Sequence, residues 1–165
     1  MDINIREAKH SDREVVGELF KEMFDFHGKR DPHFTRTKLG HEIFSAWFVE
    51  QIDQEDSSPL VAEVDGKVVG YALGILRQHP LVFAKRAYGE INDIAVSSDY
   101  RRHGVGFGLL RKLQDWFKSR NISRFEAKVA VSNEVSSDFW RKMAFRPYFE
   151  TLVMDTSEQS NGGDS

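Results

Sequence analysis

The 165-residue chain contains no cysteine. Disulfides, thiolate metal ligands and a cysteine nucleophile are therefore excluded. Long apolar runs are also missing: none approaches the roughly 20 residues that a membrane-crossing helix requires. The opening MDINIREAKH lacks the apolar centre of a secretory signal. A cytoplasmic protein with no membrane partner is the expectation. Neither sign of charge dominates: 23 Lys and Arg stand against 26 Asp and Glu, for a net charge of -3. That is not the strongly basic balance of a bulk nucleic-acid binder, so no nucleic-acid partner is expected. His27, His33, His41 and His79 are scattered without ligand spacing, and no metal is expected. Nothing repeats internally, and no Gly-Lys-Ser/Thr triplet marks a P-loop.

What is present has the size and composition of one domain. A chain of this length buries roughly two thirds of its unfolded surface. Ile3 and Ile5 alternate with polar residues and predict a short strand. Ser11 and Glu14 have capping-box spacing ahead of Val15, Val16, Leu19, Phe20, Met23 and Phe24 at helical period, and Gly28 ends that helix. A second helix is predicted from about Lys38, with Leu39, Ile43, Phe44, Trp47 and Phe48 on one face. Then the period changes. Leu60 to Val64 and Lys67 to Leu76 read as strands around an Asp65-Gly66 hairpin turn, and Ala87 to Val96 as another strand. A helix carrying Val105, Leu109, Leu110, Leu113, Trp116 and Phe117 follows. Ser123 to Val131 reads as a strand, Asn133 to Met143 as a helix, and Phe145 to Met154 as a last strand. A hairpin leading into a β-α-β unit implies a mixed sheet with helices on its faces. The polar, Gly/Ser-rich stretch from Asp155 to Ser165 reads as a disordered tail after a single domain over residues 1–154.

The stretch DYRRHGVGFGLLRKL, Asp99 to Leu113, places Arg101, Arg102 and His103 directly before Gly104, Gly106 and Gly108 at the start of a helix. A helix start presents unpaired N–H groups and the positive end of the helix dipole. Oxyanions bind there, and glycine lets phosphate oxygens approach the backbone. The plainer alternative is a solvated basic loop that uses glycine to turn sharply. A dinucleotide fingerprint G-x-G-x-x-G fails, because Leu109 stands where its third glycine belongs.

Arg101-Arg102-His103-Gly104-Val105-Gly106 resembles R/Q-x-x-G-x-G/A, the signature of the GNAT superfamily of acyl-CoA-dependent N-acyltransferases. Asn133 to Phe145 is similar to that family's second motif, N-x-x-A-x-x-F-Y-x-K-x-G-F, at the expected interval. The resemblance covers residues 3–154. It implies an α/β (α+β) fold: a mixed, mostly antiparallel twisted sheet of roughly six to seven strands, with a parallel pair splayed at its centre and about four helices on its faces. It implies acetyl-CoA as cofactor, with the backbone from Arg102 through His103, Gly104, Val105 and Gly106 to Phe107 cradling the pyrophosphate and Arg101 adding charge. Ile94, Ala95 and Val96 would meet the pantetheine arm as an added strand does. Asn133 would reach the same ligand or simply cap its helix; Phe139 and Trp140 would pack along the cofactor or belong to the core.

The implied activity is direct attack of a primary amine on the thioester within a ternary complex. The amine must lose a proton, and lysine-like amines have a pKa of about 10.4. Glu90 is the expected base, with Asp93 second because its side chain alternates away unless a bulge intervenes. The Ile94 N–H would polarise the acyl oxygen. Trp140 departs from the family tyrosine proposed to protonate the leaving thiolate, so Tyr148, Tyr100, Ser136 or water would substitute. Ser136 replaces alanine, and Ala144 replaces glycine. Glu22, Asp25, Glu90 and Asp93 would favour a cationic acceptor. A small-molecule amine is expected over a protein, with the enzyme a monomer or homodimer. Two readings compete: a non-catalytic acyl-CoA-binding sensor or regulatory module, and a binder of another nucleotide.

Overall fold

Asp65 and Gly66 both take positive φ, 52° and 76°, as a two-residue turn matching the twist of its strands requires. They join β2 (Ser57–Val64) to β3 (Lys67–Gln78) in the computed structural model, which describes residues 1–156. Around this hairpin the chain places β1 (Ile3–Glu7), α1 (Arg13–Gly28), α2 (Gly40–Glu50), β4 (Ala87–Val96), α3 (Val105–Ser119), β5 (Phe125–Ala127) and α4 (Glu134–Lys142). The five strands lie in the order β1-β2-β3-β4-β5. Neighbours are antiparallel up to β4, and β4 runs parallel to β5.

The sheet separates two cores. On one face Leu60, Ala62, Val64, Ala72 and Ile91 pack against Val105, Leu109, Leu110, Leu113 and Phe117 of α3, with Trp140 of α4 beside them. On the other, Val61, Tyr71, Leu73, Ile75 and Ala95 pack against α1 and α2 through Val16, Leu19, Phe20, Phe48 and Val49. Gly89 sits directly under Phe117: a Cβ there would fall 2.6 Å from the ring. The bare backbone of β4 thus sets how closely α3 lies on the sheet.

Several expectations are corrected. The strand predicted over residues 123–131 contracts to Phe125–Ala127. The one predicted over residues 145–154 does not form, and Phe149, Leu152, Val153 and Met154 are 84%, 84%, 85% and 78% exposed. Pro147 has no N–H to donate, and among the described residues nothing covers the apolar side chains. The described sheet therefore has five strands rather than six to seven, and its parallel pair lies at the edge rather than the centre. On α2 the predicted apolar face is partly exposed: Leu39 is 53% and Ile43 66% accessible. The Ser11–Glu14 capping box is absent. Asp12 instead accepts the Lys9 N–H at 2.7 Å and a two-pronged pair of bonds from Arg6 of β1 at 2.8 and 3.0 Å, a stronger set than a hydroxyl cap offers. Of the tail predicted from Asp155, residues 157–165 lie outside those described.

Two irregularities of β4 matter for function. Its register with β3 slips between Leu73 and Gly74, so Leu73 faces Asp93, Gly74 faces Ile91, and Asn92 is the extra, bulged residue. Its pairing with β5 begins at Gly89–Phe125 and stops at Ile91–Ala127. From Asn92 to Val96 the β5-facing edge of β4 is free of a partner strand among the described residues.

Candidate active site

The free edge of β4 leads into the glycine-rich turn. Arg102 and Gly104 both take left-handed conformations, φ 63° and 87°, the kind of turn from which anion-binding backbone concavities are built. Gly104 is the residue before α3, and its carbonyl receives the Gly108 N–H at 2.9 Å. Among the described residues, no backbone carbonyl is paired with the N–H groups of residues 102–107. Arg102 and His103 are exposed, and neither makes a side-chain hydrogen bond or ion pair among those residues. The start of a fifteen-residue helix, with its dipole, unpaired amides and two unengaged cationic or protonatable side chains, is thus open to an anion.

Arg101 has a different task. Its Nε donates to the Val96 carbonyl at 3.0 Å and its Nη2 lies 3.4 Å from Glu22 Oε1. The same Glu22 oxygen accepts the Ser98 N–H at 2.8 Å. Glu22 of α1 therefore ties down the turn ahead of the cradle, rather than standing ready for an acceptor amine. Its spacing in the sequence carries no sign of this role, because the tether spans 76 residues.

The second motif meets the first at Gly106. A Cβ built there would lie 3.3 Å from Phe139 Cε2 and 3.8 Å from Val96 Cγ2. Phe139, the end of β4 and the first turn of α3 therefore converge on one bare backbone position. Asn133 is buried and caps α4, its Oδ1 accepting the Ser136 N–H at 3.1 Å; its amide nitrogen has no partner among the described residues. Val105 is buried in the core, and Phe107 is exposed beneath Arg111.

Two departures from the family motif are one interaction. Trp140 is 7% exposed, and its Nε1–H donates to Ser136 Oγ at 3.1 Å, one helical turn back. Phe139 and Phe145 flank the indole edge-on. Trp140 is a core residue with its one polar group satisfied. Ser136→Ala would leave that N–H without a partner and is expected to cost about 1–3 kcal/mol. Chemical denaturation measures it; an unchanged midpoint would show the bond to be dispensable.

The carboxylates divide sharply. Glu90 Oε1 accepts from Arg77 Nη2 at 3.2 Å and from Asn92 Nδ2 at 3.0 Å. Glu22 faces Arg101 at 3.4 Å, and Asp25 faces Arg36 at 2.8 Å. Asp93 has no cationic partner among the described residues: it accepts Tyr71 Oη–H at 3.0 Å and the adjacent Ile94 N–H at 2.9 Å. Burial pushes its carboxyl up to about 6, against the lowering effect of those two hydrogen bonds. The bulge at Asn92 is what places Asp93 on the same face of β4 as Glu90. The Ile94 N–H expected to meet an acyl oxygen is thus engaged by Asp93. Tyr148 lies on the exposed segment after α4, its ring under the Arg124 guanidinium at 4.3 Å. Tyr71 was not visible as a site residue, since its partnership with Asp93 depends on the register of β3 against a bulged β4.

A family model described as the acetyltransferase (GNAT) family matches residues 18–145. An N-alpha-acetyltransferase of Sulfurisphaera tokodaii is 33% identical over 108 residues, covering 61% of this chain and 63% of that relative, so the match spans less than two thirds of its length. Among solved structures, a Bacillus halodurans protein determined in mutant form superposes with a TM-score of 0.84 at 24% identity, covering 92% of this chain and 98% of the other. A Clostridium acetobutylicum protein described as a predicted acetyltransferase with acetyl-CoA superposes with a TM-score of 0.75 at 17% identity, covering 97% and 100%.

Proposed function

Because this chain belongs to the GNAT family of acetyltransferases, we propose that it transfers an acetyl group from acetyl-CoA to a primary amine carried on a small molecule. One observation carries this reading: among the described residues the N–H groups of residues 102–107 at the start of α3 have no backbone partner, and Phe139 packs beside Gly106. The residues present fit the cofactor. A diphosphate needs several convergent donors and no side chain in the way, and Gly104 and Gly106 provide both. Arg102 and His103 add positive charge at the mouth. The free edge of β4 from Asn92 to Val96 offers main-chain groups to an extended amide-containing arm, in the manner of an added strand.

Bound acetyl-CoA supplies an activated acyl carbon and a thiol of pKa about 8.5 as leaving group. The chain supplies position and a proton acceptor. The turn tethered by Glu22 and Arg101 fixes the cradle, and a carboxylate of β4 takes the proton that a protonated amine must lose before it can attack. Trp140 has no acidic proton to give the departing thiolate, and a thiol this acidic leaves without a dedicated acid. Its burial and its bond to Ser136 account for its presence structurally, so the tryptophan does not favour a non-catalytic module.

Thermal unfolding with added ligand tests the assignment. Coenzyme A at about 100 times its dissociation constant is expected to contribute about 2.7 kcal/mol of stability, while NAD and ATP at equal concentration contribute far less. Thiol release from acetyl-CoA with a panel of amines is the second readout. Stabilisation by NAD or ATP in place of coenzyme A contradicts the assignment, as does stabilisation by coenzyme A without thiol release for any amine.

A further inference from the structure

We propose that Asp93, rather than Glu90, accepts the proton of the acceptor amine, with Tyr71 as its positioning residue; this rests on the acyl-transfer reading above. Four carboxylates stand out as candidates to meet a cationic acceptor. Three of them, Glu22, Asp25 and Glu90, are each held by an arginine of this chain. The fourth, Asp93, is partly buried with neutral partners alone. A partly buried carboxylate without a cation carries an uncompensated desolvation cost, which a well-placed cation offsets. Its location suits that cation. Asp93 lies beyond the last β4–β5 pair, next to Ile94 on the free edge where an acyl arm would lie. The Tyr71 ring that holds it is fixed in the core, packed against Phe44 at 5.7 Å and Phe48 at 5.4 Å.

The step balances. The ammonium R–NH3⁺ gives one proton to the Asp93 carboxylate and becomes R–NH2. The amine nitrogen forms a bond to the acyl carbon and the carbon–sulfur bond breaks. The second nitrogen proton passes to the thiolate, leaving amide, thiol and a neutral Asp93 carboxyl, which then releases its proton to water. A carboxyl titrating close to neutrality suits this exchange. The groups acting on Asp93 are Tyr71 of β3 and the Ile94 N–H of β4; no charged group of α1 or α2 is among them.

The test uses 2-phenylethylamine as probe with acetyl-CoA, following thiol release across the pH range around 6, alongside coenzyme A binding. Asp93→Asn is expected to lower kcat by at least about 100-fold with coenzyme A affinity unchanged. Tyr71→Phe removes a hydrogen bond to the charged carboxylate. It is expected to move the acidic limb of the kcat/KM profile to higher pH, a change that a purely structural tyrosine would not cause. Stability shows that Asp93→Asn is folded. The folded carboxyl titrates near 6 against an ordinary value of 3.8. Between those pH values the folded state holds the extra proton, so wild type loses stability as pH rises through the window. The variant lacks that loss and is expected to melt above wild type at pH near 8. The proposal is overturned if Asp93→Asn keeps wild-type turnover, or if the acidic limb vanishes in Glu90→Gln while persisting in Asp93→Asn. If wild type releases no thiol with this probe or with any amine of the panel, acyl transfer itself fails. The ¹³C resonance of the Asp93 carboxyl then decides the remainder: movement on adding the probe sustains Asp93 as the amine-binding carboxylate, and a stationary resonance overturns it.

Discussion

Gly106→Glu is expected to weaken coenzyme A binding by at least about 100-fold, a loss of roughly 2.7 kcal/mol or more. The position is the meeting point of three elements. A Cβ there already touches Phe139 at 3.3 Å, and the rest of a glutamate would extend a negative charge over the amides of residues 102–107. Like charge set against a diphosphate costs several kcal/mol. The fold is expected to survive, because Gly106 lies on the first turn of α3 and is not fully buried. Isothermal titration of coenzyme A into wild type and variant, each with an intact thermal transition, measures the effect. Affinity retained within about threefold would show that the diphosphate lies elsewhere.

Gly89→Ala is expected to destabilise the protein by about 3 kcal/mol, the upper end of the usual cost of overpacking. The added Cβ would lie 2.6 Å from both Cδ1 and Cε1 of Phe117. That ring cannot step aside: it is fully buried and stacked on Phe125 of β5 at 5.3 Å. Relief would require α3 to lift from β4. The double variant Gly89→Ala, Phe117→Leu is therefore expected to lose less stability than the sum of its singles, a coupling that denaturant titration resolves. Additive losses, or an unchanged midpoint for Gly89→Ala, would mean that contact with Gly89 does not set the distance between helix and sheet. The consequence reaches the site, since Gly89 also begins the β4–β5 pairing whose early end leaves the edge of β4 free.

Local chemistry was legible in the sequence where neighbours along the chain decide the outcome. Asp65-Gly66 needs only its own left-handed conformations to make the hairpin, and the glycines after Arg102 and His103 mark the start of α3 within a few residues. Long-range competition was not legible. Ser11 yields its expected place to Asp12, which Arg6 of β1 holds, and Glu22 is drawn to a turn far along the chain. The bulge at Asn92 is the clearest case. Strict alternation sets Asp93 on the face opposite Glu90, and one unpaired residue reverses it. No composition or period announces that slip, because it arises from how β3 and β4 fit together. The segment after α4 fails for a related reason: its aromatic and aliphatic residues suit a strand, but a strand exists only where another backbone pairs with it. Ser136 and Trp140 differ again. Each departs from the family motif, and their i,i+4 spacing on a helix makes them neighbours, so that bond was within reach of the sequence.

The central claim is that the main-chain N–H groups of residues 102–107 hold a diphosphate. Amide ¹H–¹⁵N spectra during coenzyme A titration test it most directly. The account predicts large shifts at residues 102–107, followed by Asn92 to Val96 along β4, with small changes in α1 and α2. Shifts absent from residues 102–107, or concentrated on another surface while coenzyme A binds, would contradict it.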